Sequence, residues 1–252
     1  LIVSRITNET PTSKTFRFSS ANNYLPPFQA GQYINLSVNI GGISTSRPYS
    51  IASPPNQTGY YDITVKRVED GFVSSYMLDE VKEGDMFEST SPAGNFYYNP
   101  LVHGTDLVFL AGGSGITPFM SMIREVVDKR IQRSIHLICG NRTPEDSIYS
   151  DELKAIDTLC KDINTFHVIS EPSETYEGLT GFISADLMLN LLGDIRGKTF
   201  FICGPEDMYS YCMNELEKLG VKKKKIRREV YGSPRDVTSQ PGWPTTIAAH
   251  EQ

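Results

Sequence analysis

An all-β antiparallel barrel followed by an α/β domain built on a parallel sheet is the fold class this sequence predicts, on three observations. Up to about Pro100, short runs that alternate or cluster apolar residues come at close spacing between turn signals. After Pro100 the rhythm becomes strand, turn, helix, with buried-type runs separated by amphipathic segments. At 252 residues the chain is long enough for two medium domains with a core each, and its 39% hydrophobic and 21% charged content is that of an ordinary globular protein.

In the first part, residues 2–6, 14–18, 32–38, 60–68 and 86–91 read as strands, punctuated by Thr10-Pro11, Pro26-Pro27 and Gly41-Gly42. Residues 71–81 interrupt them, because Val73, Met77 and Val81 recur at helical spacing with Ser74 and Ser75 near the start. A short helix there offers free N–H groups at its beginning, beside Gly71, where the backbone can come close to an anion. In the second part, strand runs at 107–111, 135–139, 166–169, 199–203 and 226–231 alternate with helical patterns at 118–129, 147–159, 184–192 and 206–219. These rhythms divide the chain into 1–102, 103–232 and a Pro-broken tail, 233–252, that reads as a linker anchored by Trp243, the sole tryptophan.

Composition narrows the function classes. The net charge of −6 argues against nucleic acid as a partner, and strongly apolar runs of about five residues fall far short of a membrane span. Cys139, Cys160, Cys203 and Cys212 fall at no metal-ligand spacing, so no metal site is expected, and a reducing, cytoplasmic compartment is. No signal peptide is visible, and the opening Leu1-Ile2-Val3 reads like the trimmed start of a domain. The run Lys222-Lys223-Lys224-Lys225-Ile226-Arg227-Arg228 reads as a solvated loop entering a strand; docking of an acidic partner is the alternative.

Three stretches carry chemistry. Arg47-Pro48-Tyr49-Ser50-Ile51-Ala52-Ser53 sets a guanidinium, a phenol and a hydroxyl in line before Pro54-Pro55. It is either an edge strand with a wet face or a surface for a flat cofactor, with Arg47 on phosphate oxygens, Tyr49 on a ring and Ser50 on a ring nitrogen. The strand-to-helix turn Ala111-Gly112-Gly113-Ser114-Gly115-Ile116-Thr117-Pro118 lets backbone close on a diphosphate at a helix N-terminus; Ile116-Thr117 stand where a nucleotide hydrolase needs Lys-Ser/Thr. Cys203-Gly204-Pro205 ends another strand of the same sheet, and ligands bind at the carboxyl ends of such strands.

Together with Gly71-Phe72-Val73-Ser74 and Pro92-Ala93-Gly94-Asn95-Phe96, these stretches resemble, in order, the ferredoxin–NADP reductase-like flavoproteins, the reductase modules of oxygenase and related electron-transfer systems. The resemblance covers residues 1–232 and implies a flavin-binding barrel before a nucleotide-binding domain. It implies that Arg47 binds the flavin pyrophosphate with Pro48 beside it, that Tyr49 packs on the isoalloxazine or ribityl region, and that Ser50 hydrogen-bonds near flavin N5, with Ser53 close by. Lys66 and Arg67 would line the flavin largely through backbone, and Gly71, Phe72, Val73 and Ser74 would supply an amide nest that looks like the FAD-binding form rather than the FMN-binding one. Gly113, Thr117 and Pro118 would lie at the nicotinamide, with Cys203 beside its reacting carbon and Gly204, Pro205 and Met208 around it; Glu229 and Tyr231 would stand near the flavin.

Asn141 and Arg142, at the end of the second strand of the α/β domain, bear on cofactor choice, Arg142 tilting it toward NADPH over NADH. Ser50, Cys203 and Glu229 are then the residues at the reacting atoms. The implied activity is electron transfer from NAD(P)H through FAD to a one-electron acceptor, a partner protein or an iron–sulfur domain. No Cys-x4-Cys-x2-Cys run is present, so a [2Fe–2S] centre would belong to a missing domain or to a partner. The alternative is a flavin-binding electron-transfer or sensor subunit without independent turnover.

Overall fold

The computed structural model describes residues 1–22 and 24–231. The predicted tail with Trp243 lies outside the described residues, as does Gly232.

In the first half, β1 (Ile2–Thr10), β2 (Ser13–Ser19) and β5 (Tyr61–Lys66) form one antiparallel sheet in the order β1-β2-β5. A second antiparallel sheet, β4-β3-β6, holds β3 (Tyr33–Ile40), β4 (Ile43–Ser50) and β6 (Glu88–Ser89). Single bridges, Ile51 to Ile63 and Ile2 to Met86, join them, so their inner faces enclose one core around Phe16, Phe18, Ile34, Leu36 and Ile63. Gly41 and Gly42 both adopt positive φ, the two-residue turn that matches the twist of the β3–β4 hairpin. α1 (Phe72–Asp79) buries Val73, Met77 and Leu78 against this core, which is why apolar residues recur there at helical spacing.

The second half is a six-stranded parallel sheet, ordered β10-β9-β8-β7-β11-β12. Its strands are β7 (Asp106–Gly112), β8 (Ser134–Asn141), β9 (Ile163–Ile169), β10 (Leu179–Thr180), β11 (Thr199–Pro205) and β12 (Ile226–Tyr231). Along β7, Leu107, Phe109 and Ala111 enter one core while Val108 and Leu110 enter the other, so both faces are covered. α3 (Thr117–Asp128) and α4 (Ser150–Leu159) pack on the first face; α5 (Ala185–Leu192) and α6 (Glu206–Lys218) pack on the second. The chain starts at β7, runs outward through β8 to β10, then returns to β11 on the far side of β7. The carboxyl ends of β7 and β11 therefore flank the point where the winding reverses.

Some local details depart from the sequence reading. A short helix, α2 (Pro100–His103), stands at the junction of the halves, with Asn99 accepting from the Leu101 N–H and Pro100 at the first position. α4 begins at Ser150 rather than 147, because Tyr149 takes φ 60° and breaks the helical run before it. A single 3₁₀ turn, Gly113–Ile116, precedes α3. Ala30, Ala52 and Phe96 of the first half share a core with Phe109, Phe119 and Phe201 of the second. The Phe96 ring lies 5.7 Å from Phe119 and 5.6 Å from Phe201, so the segment around Gly94 and Phe96 serves as the joint. Among the described residues, no helix is long and apolar enough to cross a membrane.

Candidate active site

At the winding reversal the backbone comes unusually close to itself. A Cβ on Gly115 would lie 2.1 Å from the Cys203 carbonyl oxygen, and one on Gly112 would lie 2.3 Å from the Met208 sulfur. A Cβ on Gly204 would lie 2.7 Å from the same sulfur; Gly115 is thus closed in by the backbone of β11, while Gly112 and Gly204 are crowded chiefly by the Met208 side chain of α6. Gly113 takes φ 52°, and a Cβ there would meet the Lys66 ammonium and the Tyr231 hydroxyl, each at 3.8 Å. The Tyr231 phenol donates to the Gly112 carbonyl at 2.6 Å, and the Thr117 hydroxyl closes the turn by donating to Ser114 O at 2.7 Å. Pro118 occupies the first turn of α3, where its missing N–H has no partner to lose.

Beside this turn stand a thiol and a carboxyl. Parallel pairing places Cys203 opposite Ala111 on one side and Glu229 on the other. Cys203 is 2% exposed, and burial, reinforced by Glu229, pushes its thiol well above the ordinary range, so at neutral pH it is an uncharged packing surface and not a nucleophile. Burial raises the Glu229 carboxyl to about 7, against the opposing effect of the nearby Ser50 side chain, and its Oε2 is buried with no partner among the described residues. Ser50 ends β4 in the first half, so both halves meet beside Glu229.

Among the described residues β4 is an edge strand paired only with β3, which leaves its outer edge free along Arg47, Tyr49 and Ser50. Pro48 is tolerated there because an edge position asks for no second ladder bond. Arg47 is exposed, its Nη1 donating back to Thr45 Oγ1 at 2.9 Å and Ser46 O at 2.8 Å. Tyr49 packs partly on the core of the first half, and burial pushes its phenol up to about 12, so it offers a neutral ring. At α1, Gly71 sits at the N-cap, where a Cβ would lie 2.4 Å from Ser74 Oγ. That hydroxyl accepts from Val68 N–H at 3.1 Å, Val73 points inward, Phe72 is exposed, and the first amides of the helix have no intrahelical acceptor.

Several residues predicted for the site are placed differently. Ser53 is fully buried: its hydroxyl accepts from Asp62 N–H at 3.1 Å and its carbonyl accepts from Ser121 at 2.7 Å. It belongs to the joint between the halves. Arg67 turns away, forked onto Asp79 at the end of α1, while its neighbour Lys66 reaches the glycine turn and pairs with Asp146 at 3.1 Å. Arg142 is held by Glu171 through two bonds of 3.0 and 3.2 Å. Asn141 ends β8, its amide donating to Ser147 at 3.4 Å. Pro205 and Met208 flank Gly112. Asp146 and Glu171 escaped the sequence reading, since each lies in a polar loop with no spacing signal and acquires meaning only from the cation it meets.

The residues present fit a flavin and a dinucleotide: an uncovered strand edge with a cation and a neutral ring, two tight glycine turns at helix starts, and an orphaned carboxyl oxygen between them. Residues 2–98 match the family described as oxidoreductase FAD-binding domain, and residues 109–235 match oxidoreductase NAD-binding domain. The chain is 31% identical over 232 residues to the glycine betaine monooxygenase reductase subunit of Pseudomonas aeruginosa, covering 90% of this chain and 63% of that protein. It is 30% identical over 217 residues to NADH-cytochrome b5 reductase 1 of Dictyostelium discoideum, covering 85% and 75%. It thus spans less than two thirds of the reductase subunit it matches. Among solved structures, the FAD/NAD-binding domain of nitric oxide dioxygenase from Vibrio cholerae shares the fold with TM-score 0.83 at 24% identity, covering 92% of this chain and 98% of that one. Phthalate dioxygenase reductase does so with TM-score 0.76 at 23% identity, covering 95% and 69%. The two family matches, laid end to end over the two halves of the fold, make this chain a member of the FAD- and NAD-binding oxidoreductases of the ferredoxin–NADP reductase type.

Proposed function

We propose that this chain is the reductase module that draws electrons from a reduced nicotinamide dinucleotide through FAD and delivers them to a one-electron acceptor, such as a [2Fe–2S] centre on a further domain or partner. Residues 1–102 would hold the flavin, residues 103–232 the dinucleotide, and 233–252 would act as the linker toward that acceptor. The observation that carries the reading is the convergence of Ser50, Cys203 and Glu229 from three strands of two sheets beside one glycine turn. The chemistry a bound flavin supplies is uptake of a hydride equivalent and release of electrons singly. The chain's own part is orientation. Arg47 and the first amides of α1 would hold phosphate, Tyr49 would pack on the ring system, and Cys203 would keep the nicotinamide face dry without competing as a nucleophile. Glu229, titrating near neutrality, would hold a proton beside the Ser50 hydroxyl. Relatives named as a monooxygenase reductase subunit and an NADH-cytochrome b5 reductase support the electron-transfer reading.

For the dinucleotide, the pairing of Arg142 with Glu171 shifts the choice toward NADH. A 2′-phosphate reaching Arg142 would have to displace a carboxylate and then face it, whereas a ribose diol can donate to that carboxylate. The test is anaerobic addition of NADH or NADPH to FAD-loaded protein with the flavin absorbance followed in time. Bleaching by NADH at a rate well above that with NADPH is expected; no bleaching by either would overturn the reductase reading.

A further inference from the structure

One half-buried cation outside the site ties the two halves together within two residues of Ser50. Arg124, on α3, is 18% exposed at its side chain. Its Nε and Nη2 donate to the two carboxylate oxygens of Glu152 on α4 at 2.7 and 2.5 Å, and its Nη1 donates across the joint to the Ala52 carbonyl at 2.8 Å. The guanidinium lies 4.8 Å from the centre of the Tyr149 ring. Tyr149 is itself buried in a left-handed conformation, and its hydroxyl is hydrogen-bonded to Thr64 of β5, which bonds to Thr15 of β2 at 2.7 Å. A bulky residue stays in that conformation only where its surroundings over-determine it. One turn earlier on α3, Ser121 donates to the Ser53 carbonyl at 2.7 Å.

Two chains of connection thus leave one helix. The N-terminus of α3 is the glycine turn of the site, and its middle grips residues 52 and 53, which continue directly from Ser50. Thr117 and Arg124 are separated by about 10 Å along a stiff helix. A three-way fork on Glu152 and Ala52 suits arginine, whose planar donors point in fixed directions; a lysine ammonium cannot reach both partners in the same geometry.

We infer that Arg124, aided by Ser121, is a positioning residue that sets the gap between the flavin strand at Ser50 and the nicotinamide turn at residues 112–117, and so governs the rate of hydride transfer without touching either cofactor. The inference rests on the reductase reading above. Near-attack geometry is sensitive to displacements of about 1 Å, which is the scale on which an unclamped joint would shift.

The test compares wild type with Arg124→Met and Arg124→Lys, each loaded with FAD. Flavin content and the dissociation constant for NADH are expected to stay within about twofold, while the flavin-reduction rate at saturating NADH falls about tenfold or more. The long-wavelength charge-transfer absorbance of the nucleotide complex should weaken in parallel. In the flavin-free proteins, the amides of Ala52 and Asp62, which bond within the same joint, should exchange hydrogen faster in the variants. Variants that match wild type in rate, charge-transfer absorbance and exchange would overturn the inference and leave the reductase reading standing. A wild-type protein that neither NADH nor NADPH reduces would overturn both. Should Arg124→Met fail to fold, Ser121→Ala removes one bond of the same grip; about a threefold loss of rate with unchanged NADH affinity supports the inference, and no loss overturns it.

Discussion

At the scale of the residue, Glu229 is the most informative group in the molecule. A carboxyl raised from 4.5 to about 7 is disfavoured as a charge in the folded state, so between these pH values the native protein binds more protons than the unfolded chain. Stability from this group is therefore present at low pH and is lost as pH rises through 7, the full cost being about 3 kcal/mol above that point. Glu229→Gln, which cannot ionise, should accordingly raise the thermal midpoint of the flavin-free protein at pH 8 and much less at pH 5; equal shifts at both would show that Glu229 is not the titrating group. The pH profile of flavin reduction by NADH should carry an inflection near 7 that the same variant abolishes. Glu171 offers a second measurement. Glu171→Gln takes a carboxylate away from Arg142 at an exposed site, where such an interaction is worth about 1 kcal/mol, so the ratio of kcat/KM for NADPH over NADH should rise about fivefold. A ratio that stays put would leave Arg142 without a part in nucleotide choice.

Among the elements, the turn between β7 and α3 is the least tolerant of change. Its geometry is constrained by the backbone of the neighbouring strand: the Cys203 carbonyl and the Gly204 amide both crowd the Cβ position of Gly115. Gly115→Ala puts a methyl 2.1 Å from that carbonyl and must push α3 or β11 aside, costing ~2 kcal/mol or more. Chemical denaturation should register that loss, and NADH titration should show binding weakened with it. Gly181→Ala, whose Cβ would meet nothing within 4 Å but whose φ is 91°, would be strained by backbone alone and should leave NADH affinity unchanged.

For the whole molecule, the parallel sheet decides what its basic run can do. Lys222 to Lys225 precede β12, and Tyr231 at the site ends it, so about 16 Å of strand separates them. β12 is an edge strand, and a row of cations along a free edge discourages pairing with other chains. Part of the run is also spent on seating the strand: Lys225 donates to Gly197 O at 3.2 Å, Arg227 to His103 at 2.9 Å and Arg228 to the Tyr209 hydroxyl at 2.7 Å. The run thus begins at the end of β12 away from the site, with part of it already engaged in seating the strand. Neutralising Lys222, Lys223 and Lys224 should leave the rates of reduction of a [2Fe–2S] partner and of a small dye both unchanged; a selective loss with the protein partner would restore the docking role.

The amino-acid sequence by itself determined the type and order of most elements, though not the short α2 or β10, because hydrophobic periodicity and glycine chemistry are local: alternation in the first half, strand-turn-helix in the second, and glycine where backbone must approach backbone. It also marked Arg47 to Ser50, residues 112–118 and Cys203 to Pro205, since each stretch is legible without its neighbours. What only the tertiary structure decided was which polar groups face one another. Ser53 reads like part of the cofactor strand yet is buried in the joint, Lys66 and Arg67 are adjacent yet face different partners, and Arg124 looks like any helical cation until Glu152, Tyr149 and Ala52 close around it. Charges and hydrogen bonds act over a few ångströms between residues far apart along the chain, and no period within the sequence records those distances.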